Sequence, residues 1–372
     1  MNGPSSELVS RFPEVGEALP RISLGQWPTS VTPMARLGAR IGIGSLAAKR
    51  EDQSSAVYGG NKVRKLEVAL GAARAAGATE VVTFGAVGSN HALATAIFGT
   101  ALGFQVTTFM MPQPSSRHVR MNLLGHAALG ARVVLCADAA EVRAAAAEHV
   151  AAETRRTGAS PHVIPFGGSD ALTTLGALDA GLEFAAQVAA GRAEAPDVVY
   201  VPFGSMGTAV GVALGMAAAG LTPEVRAVRV VPPEVAGAEA ADRLARGALA
   251  LLGGIAPTFP VTAARASRLT VVEGFFGEGY GVFSPEGARA MRLVRETDGL
   301  ALEGTYTAKT LAALIADAES GMLADRSVLY WHTYNSVDLR ALTGGVDHHA
   351  LPEALHTYFE SPVQPFDTEV DD

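Results

Sequence analysis

Between residues 62 and 231, short β-rich runs alternate with helical patterns, and few folds accept that rhythm. Apolar residues recur at helical spacing over 63–76, 90–102, 117–128 and 140–156. The runs between them cover 80–84, 105–110, 132–136 and 162–165. A helix over 171–190 follows, then a strand at 197–201, a helix at 207–219 and a strand at 225–231. Helices at 285–297 and 307–319 and a strand at 328–331 close the regular part. This alternation predicts an α/β chain whose strands run parallel, with helices on both faces. There are enough strands for two sheets. The expected organisation is two domains, each a mainly parallel twisted sheet flanked by helices, with the site in the cleft. The smaller domain is placed at 66–168, and the larger is built from 1–65 and 169–372.

Composition excludes several functions. The 372 residues carry a net charge of −8, which argues against nucleic acid as a partner. Any anion site must therefore be local. No run approaches the roughly 20 apolar residues of a membrane span, and the first 13 residues are polar, so a cytoplasmic location is expected. The single cysteine, Cys136, follows an apolar run and reads as a buried strand-end residue. The histidines at 118, 126, 149, 162, 348, 349 and 356 show no metal-ligand spacing, so no metal is expected. The segment beyond Pro362 is acidic and is expected to be mobile.

Residues 58–67 read Tyr-Gly-Gly-Asn-Lys-Val-Arg-Lys-Leu-Glu, and a helix follows at once. Helix starts favour acidic residues, because their free N–H groups carry partial positive charge. Here Lys62, Arg64 and Lys65 crowd that end instead. One use for such crowding is a lysine kept partly neutral, and so nucleophilic, by neighbouring charge. Lys62 is the candidate and Lys65 the alternative.

Two strand–glycine–helix turns could hold anions. One is Gly85-Ala86-Val87-Gly88-Ser89-Asn90-His91, and the other is Gly204-Ser205-Met206-Gly207-Thr208. Glycines allow the sharp turn and expose N–H groups at a helix start. Neither turn matches an ATP-binding loop or the dinucleotide fingerprint. Taken singly, each could be an ordinary βα turn. With Lys62 they supply what a pyridoxal-phosphate enzyme needs: a Schiff-base lysine, a phosphate cradle and a carboxylate cradle.

The segment Asn61-Lys62-Val63-Arg64-Lys65-Leu66-Glu67 resembles the Asn-Lys-x-Arg-Lys-Leu-Glu segment of the 1-aminocyclopropane-1-carboxylate (ACC) deaminase and D-cysteine desulfhydrase family. These are fold-type-II, tryptophan-synthase-β-like enzymes that use pyridoxal 5'-phosphate. The likeness continues in order through Gly88-Ser89-Asn90-His91, Gly204–Thr208, Gly279-Tyr280-Gly281-Val282 and Thr305-Tyr306-Thr307-Ala308-Lys309. It implies that Lys62 forms the Schiff base and moves the α-proton. Asn90 would contact the cofactor ring oxygen, while Ser89, Asn90 and the backbone at His91 would hold the substrate carboxylate. Gly204, Ser205, Met206, Gly207 and Thr208 would hold the phosphate. Tyr280 and Tyr306 would flank the substrate as acid/base or orienting groups. Thr307 stands where the cyclopropane deaminases place a glutamate facing the pyridine nitrogen, and Thr333 resembles the threonine near that nitrogen in desulfhydrase-like members. The resemblance also implies a homodimer.

The chain departs from the family in three places. Gly88 replaces a glutamine, Ala92 to Thr95 replace an Arg-Gln pair, and Tyr334-Asn335 replace a Gly-Gly pair. A hydroxyl at 307 makes the ring a weaker electron sink than a carboxylate would, which favours loss of a good β-leaving group. The expected reaction is therefore α,β-elimination on a small amino acid, as in D-cysteine desulfhydrase. It would yield a 2-oxo acid, ammonia and a leaving group such as sulfide. The alternatives are ACC deamination, β-replacement or racemisation on the same scaffold. Outside that scaffold they are a nucleotide-binding oxidoreductase and a non-catalytic amino-acid sensor. Lys62→Ala is expected to abolish the visible absorbance band of the purified protein, and Lys65→Ala to retain it. Absorption spectra of the two variants check this assignment, and the opposite pattern would move it to Lys65.

Overall fold

A computed structural model describes residues 6–367. Ten strands form two sheets. They are β1 (Val31–Pro33), β2 (Ser45–Arg50), β3 (Glu80–Ala86), β4 (Gln105–Met111), β5 (Arg132–Leu135), β6 (His162–Val163), β7 (Val198–Phe203), β8 (Glu224–Arg229), β9 (Arg268–Val272) and β10 (Ser327–His332). The larger sheet runs β1-β2-β10-β7-β8-β9 and the smaller β5-β4-β3-β6. Every pairing is parallel except β1 with β2. The α/β architecture expected from the alternation is thus present. Among the described residues no helix is long and apolar enough to cross a membrane.

Three elements of the larger sheet escaped the sequence reading: β1, β2 and β9, together with the helix Ala238–Ile255. Strand β2 reads Ser-Leu-Ala-Ala-Lys-Arg, which lacks the β-branched and aromatic residues that mark strands. It is held by its place between β1 and β10, and by burial of Lys49.

The helices Lys62–Ala75, Ala171–Ala189 and Gly207–Ala218 form the packed layer that carries the site. Gly207, Gly211 and Gly215 lie four apart on one helix, which explains a spacing that missed the dinucleotide fingerprint. A Cβ on Gly215 would stand 2.0 Å from the Leu178 carbonyl oxygen, so only glycine allows this approach. Around the layer, Leu175, Leu178, Leu182, Val210 and Leu214 join β7 in one core cluster.

The start of the Lys62 helix is fixed by buried charge. The Arg64 guanidinium donates to both Glu51 oxygens, at 2.8 and 2.9 Å, and to both Glu183 oxygens at 2.9 Å. It stacks on the Trp27 ring, 3.7 Å from the centroid. Lys49 Nζ also donates to Glu183, at 2.5 Å, and to Thr29 O and Gln187 Oε1 at 2.8 Å. Burial opposes the charge on Arg64, but Glu183 and Glu51 outweigh it and raise its pKa.

The segment 339–367 does not stay with the larger sheet. Leu351, Leu355 and Tyr358 pack on Val87, Val119 and Leu123 of the smaller one. The expected mobility beyond Pro362 does not extend over the described part. Gln364 Nε2 donates to Gly281 O at 2.9 Å, Phe283 N donates to Gln364 Oε1 at 2.8 Å, and Arg117 N donates to Asp367 Oδ2 at 2.7 Å. Residues 368–372 of that tail lie outside the described residues.

Glu183→Ala leaves Lys49 and Arg64 buried with Glu51 as the carboxylate they share. It is expected to destabilise the protein by about 3–5 kcal/mol, read as an earlier transition in urea. An unchanged transition would mean that the network is a passive filling.

Candidate active site

The carboxyl ends of β3, β4, β7 and β10 converge on one cavity of about 600 Å³. Ligands of parallel α/β sheets sit at such ends. Among the sequence-chosen residues, the cavity brings together Lys62, Ser89, Asn90, His91, Gly204, Ser205, Met206, Thr208, Tyr280, Tyr306 and Thr333. Thr307 and Gly207 are not on its wall.

Lys62 enters at the first position of its helix because Gly59 and Gly60 set the approach. Gly60 has φ +98°, and a Cβ there would stand 2.9 Å from Thr333 O. Asn61 N donates to Thr333 O at 3.2 Å, and Asn61 Nδ2 donates to Thr208 Oγ1 at 2.7 Å. Lys62 is thereby tied to both the phosphate turn and the end of β10. Burial lowers the Lys62 pKa to about 8, and the Glu303 carboxylate works against this. Desolvation, more than cation crowding, is what leaves this amine partly neutral. Arg64 and Lys65 have other duties.

Lys65 points to the turn Gly204–Thr208. Its Nζ donates to Ser169 Oγ at 2.7 Å and to Gly167 O at 3.2 Å, and Ser169 Oγ donates to Ser205 Oγ at 2.8 Å. A Cβ on Gly207 would stand 3.0 Å from Lys65 Nζ. Burial first, and then the Lys62 charge, push its pKa well down. A buried amine bonded to neutral oxygens, beside the start of the helix Gly207–Ala218, suits a bound dianion. Met206 adopts φ +67° to turn the chain into that helix. These residues fit the phosphate of pyridoxal phosphate.

Ser89 caps the helix Asn90–Ala101, accepting from Ala92 N at 3.2 Å. The Asn90 side chain receives the Tyr58 hydroxyl on Oδ1 at 3.3 Å. His91 turns inward, with Nε2 3.0 Å from Thr83 Oγ1. Burial and then Lys62 and Lys65 hold its pKa well below 6.5, so it is a neutral positioning group.

Tyr280 and Tyr306 share a very short hydroxyl–hydroxyl hydrogen bond. Burial raises both pKa values, that of Tyr280 to about 12, so the pair keeps its protons at neutral pH. Thr307 bonds to Glu303: Glu303 N donates to Thr307 Oγ1 at 2.9 Å, and Thr307 N donates to Glu303 Oε1 at 2.8 Å. Its side chain therefore faces the helix start, while Thr333 faces the cavity.

Glu303 was missed by sequence reasoning. It lines the cavity, is buried, and accepts from the N–H groups of Thr305, Tyr306 and Thr307, each at 2.8 Å. The signal available was an acidic residue just ahead of a helix start, with a threonine four residues later. Tyr334 was noted only as a departure. Its hydroxyl lies 3.2 Å from His118 Nδ1, and His118 Nε2 lies 3.2 Å from Gly88 O.

The pyridoxal-phosphate dependent enzyme family model matches residues 22–333. The chain belongs to that family. Within it, the chain falls in the fold-type-II group of ACC deaminase and D-cysteine desulfhydrase, and its cofactor is pyridoxal 5'-phosphate. It is 39% identical over 345 residues to nocardicin C-9' epimerase of Nocardia uniformis subsp. tsuyamanensis, covering 92% of this chain and 99% of that one. It is 31% identical to D-cysteine desulfhydrase of Yersinia pestis (strain Pestoides F), covering 84% and 93%. A solved structure described as an ACC deaminase homologue superposes with a TM-score of 0.74 at 26% identity, covering 91% and 97%. Serine racemase from Dictyostelium discoideum, at 18% identity and a TM-score of 0.56, shares the fold.

With Lys62 titrating near 8, the cofactor-free protein should capture added pyridoxal phosphate faster as pH rises, because the neutral amine is the attacking form. The rate is expected to climb up to about pH 8 and level above it, followed as growth of the visible band. A continued rise to pH 10 would indicate an ordinary solvated lysine.

Proposed function

We propose that this enzyme removes the α-proton of an amino acid, or of an amino-acid moiety in a larger molecule, and returns a proton with inversion. The observation that carries this reading is the pairing of unlike proton groups in one cavity. Lys62, lowered to about 8, can accept a proton, while Tyr280 and Tyr306 are held protonated and can donate one. Inversion by two groups uses an acceptor on one side of the α-carbon and a donor on the other. The 39% identity with an epimerase over nearly its whole length supports the same reading.

Bound pyridoxal phosphate supplies the electron-withdrawing ring that makes the α-proton removable. The chain's own residues do the rest. The start of the helix Asn90–Ala101, with Ser89 and Asn90, receives the substrate carboxylate. The turn from Gly204 to Thr208, with Lys65 beside it, holds the phosphate. Lys62 Nζ takes the α-proton, and the Tyr280–Tyr306 pair delivers one from its hydroxyls. Glu303 fixes Tyr306 by accepting its backbone N–H.

Elimination, expected from the sequence, remains the second reading. It is favoured by the 31% identity with D-cysteine desulfhydrase and by Thr333 on the cavity wall, the residue that the family resemblance sets near the ring nitrogen. Both readings act at the α-carbon of an amino acid or amino-acid moiety, and a homodimer is the assembly we propose for either.

A panel of D- and L-amino acids in D2O separates the two. Inversion gives deuterium at the α-carbon and the opposite enantiomer without ammonia, whereas elimination gives ammonia and a 2-oxo acid. Tyr306→Phe is expected to lower inversion by about 10²-fold or more while keeping the visible cofactor band. Absence of both α-deuterium and oxo-acid across the panel would sink both readings.

A further inference from the structure

The histidines near the carboxyl end show no ligand spacing in the sequence, and His348 and His349 are adjacent. The fold changes that picture. The 3-10 turn His348–Ala350 and the short helix Thr357–Glu360 bring His349, His356 and Glu360 into one cluster. One ligand-type atom from each lies within 4.8 Å of the other two. The imidazole rings of His349 and His356 have centroids 5.0 Å apart. His356 and Glu360 are four residues apart, at neighbouring positions on one helical turn.

We propose that His349, His356 and Glu360 bind one borderline transition-metal cation of the zinc class, and that the ion staples the tail to itself outside the active site. Two imidazoles and one carboxylate suit zinc, whereas calcium and magnesium take oxygen ligands. Three protein ligands leave the fourth tetrahedral position for water. Each imidazole already has an oxygen partner for one nitrogen, which leaves the other for the metal. His349 Nδ1 lies 2.7 Å from Asp347 Oδ1, and His356 Nε2 donates to Leu351 O at 2.9 Å. Metal-bound histidines characteristically have such partners, which fix the ring and raise its basicity.

The geometry needs little adjustment. Ligand atoms of a tetrahedral zinc stand roughly 3.4 Å apart, so closing from within 4.8 Å asks for about 1 Å of movement. His349 and Glu360 are exposed and can supply it. The neighbouring cation does not compete for Glu360 in this arrangement: Arg120 donates to Tyr358 O at 2.9 Å and to Ser361 O at 2.7 Å. A further imidazole, His348, stacks on Phe359 with centroids 4.7 Å apart and has a buried Nε2 with no hydrogen-bond partner. It makes the patch richer in nitrogen than the three ligands alone.

The staple would act on a meaningful piece of chain. The same tail continues to Gln364, which grips the loop carrying Tyr280 through Gly281 O and Phe283 N. An ion joining 349 to 360 would therefore steady the segment from which that grip is made. This inference is independent of the reaction proposed above.

Calorimetric titration of the chelator-treated holoenzyme with ZnCl2 tests it. The expected result is one saturable equivalent per chain, weakened at least ten-fold in each of His349→Ala, His356→Ala and Glu360→Gln. Because His349 and Glu360 are exposed, those two variants are expected to keep the wild-type cofactor band and thermal transition. Hydrogen exchange of the backbone over 349–361 should slow several-fold with Zn2+ in the wild type and not in Glu360→Gln. The proposal is overturned if the wild type shows no saturable binding, or if the three variants bind Zn2+ as the wild type does.

Discussion

The site depends first on the buried guanidinium of Arg64. It lies two residues beyond Lys62 on the same helix, and it is clamped by Glu51 from the strand side and Glu183 from the neighbouring helix. Buried charges of this kind contribute little net stability, because desolvation consumes most of the attraction. Their value is positional. A charge that can be satisfied in only one arrangement fixes the rotation and height of the helix that carries it. Glu67, one turn on, adds a second set of restraints. It accepts from the Arg21 side chain, the backbone of Leu24 and Gly25, and Trp27 Nε1. These bonds outside the cavity join those of Asn61 on its wall in delivering the amine of Lys62.

This division of labour changes what the cluster of cations means. Lys62, Arg64 and Lys65 do not act together on one amine. Successive side chains of a helix point about 100° apart, so three cations within four positions necessarily face different surroundings. One meets the cavity, one a pair of carboxylates and one the phosphate turn. Their crowding is the trace of three separate environments met within a single turn. The lowered pKa of Lys62 comes chiefly from desolvation in the cavity wall. Glu303 pulls in the other direction, so the amine settles near neutrality. A deeper burial without Glu303 would lower the pKa further.

What could be read in the sequence follows from how local each signal is. The helix starts at Lys62, Asn90, Gly207 and Thr307 were visible because apolar period, glycine and cap residues coincide there. Most of the cavity wall was visible for the same reason, since it is built at those starts. Strand β2 was hidden because its alanines and Lys49 carry no β signature, and the partner that allows Lys49 to be buried, Glu183, lies far along the chain. Glu303 was hidden behind Thr307: the residue in register with a familiar position attracted the attention, while the carboxylate four residues earlier reaches the cavity. The histidines of the tail were hidden because their meeting is a property of the turn between them. For β2 the missing information was a contact between distant residues, whereas Glu303 and the tail histidines meet their partners within a few turns of chain whose shape spacing alone does not express.

The departures at 88 and 334 also become one change when the contacts are considered. Gly88 has no side chain, and a Cβ there would stand 2.8 Å from Gln113 Nε2 and from Val119 Cγ2. Gln113 occupies that space and accepts from Gly88 N at 3.1 Å. The Gly88 carbonyl accepts from Asn122 Nδ2 at 3.0 Å and from His118 Nε2. That bond places the His118 proton on Nε2, so Nδ1 is left to accept from the Tyr334 hydroxyl. Burial lowers the pKa of His118 and raises that of Tyr334, so the ring is neutral and the phenol keeps its proton. A glutamine at 88 would displace Gln113, and a glycine at 334 would leave His118 without its donor. The two positions are thus coupled across the cleft, one on each sheet's side. Together they rebuild the wall next to the turn Gly88–His91, away from the turn Gly204–Thr208. A change confined to the substrate side is what separates enzymes that share a cofactor but differ in what they do with it.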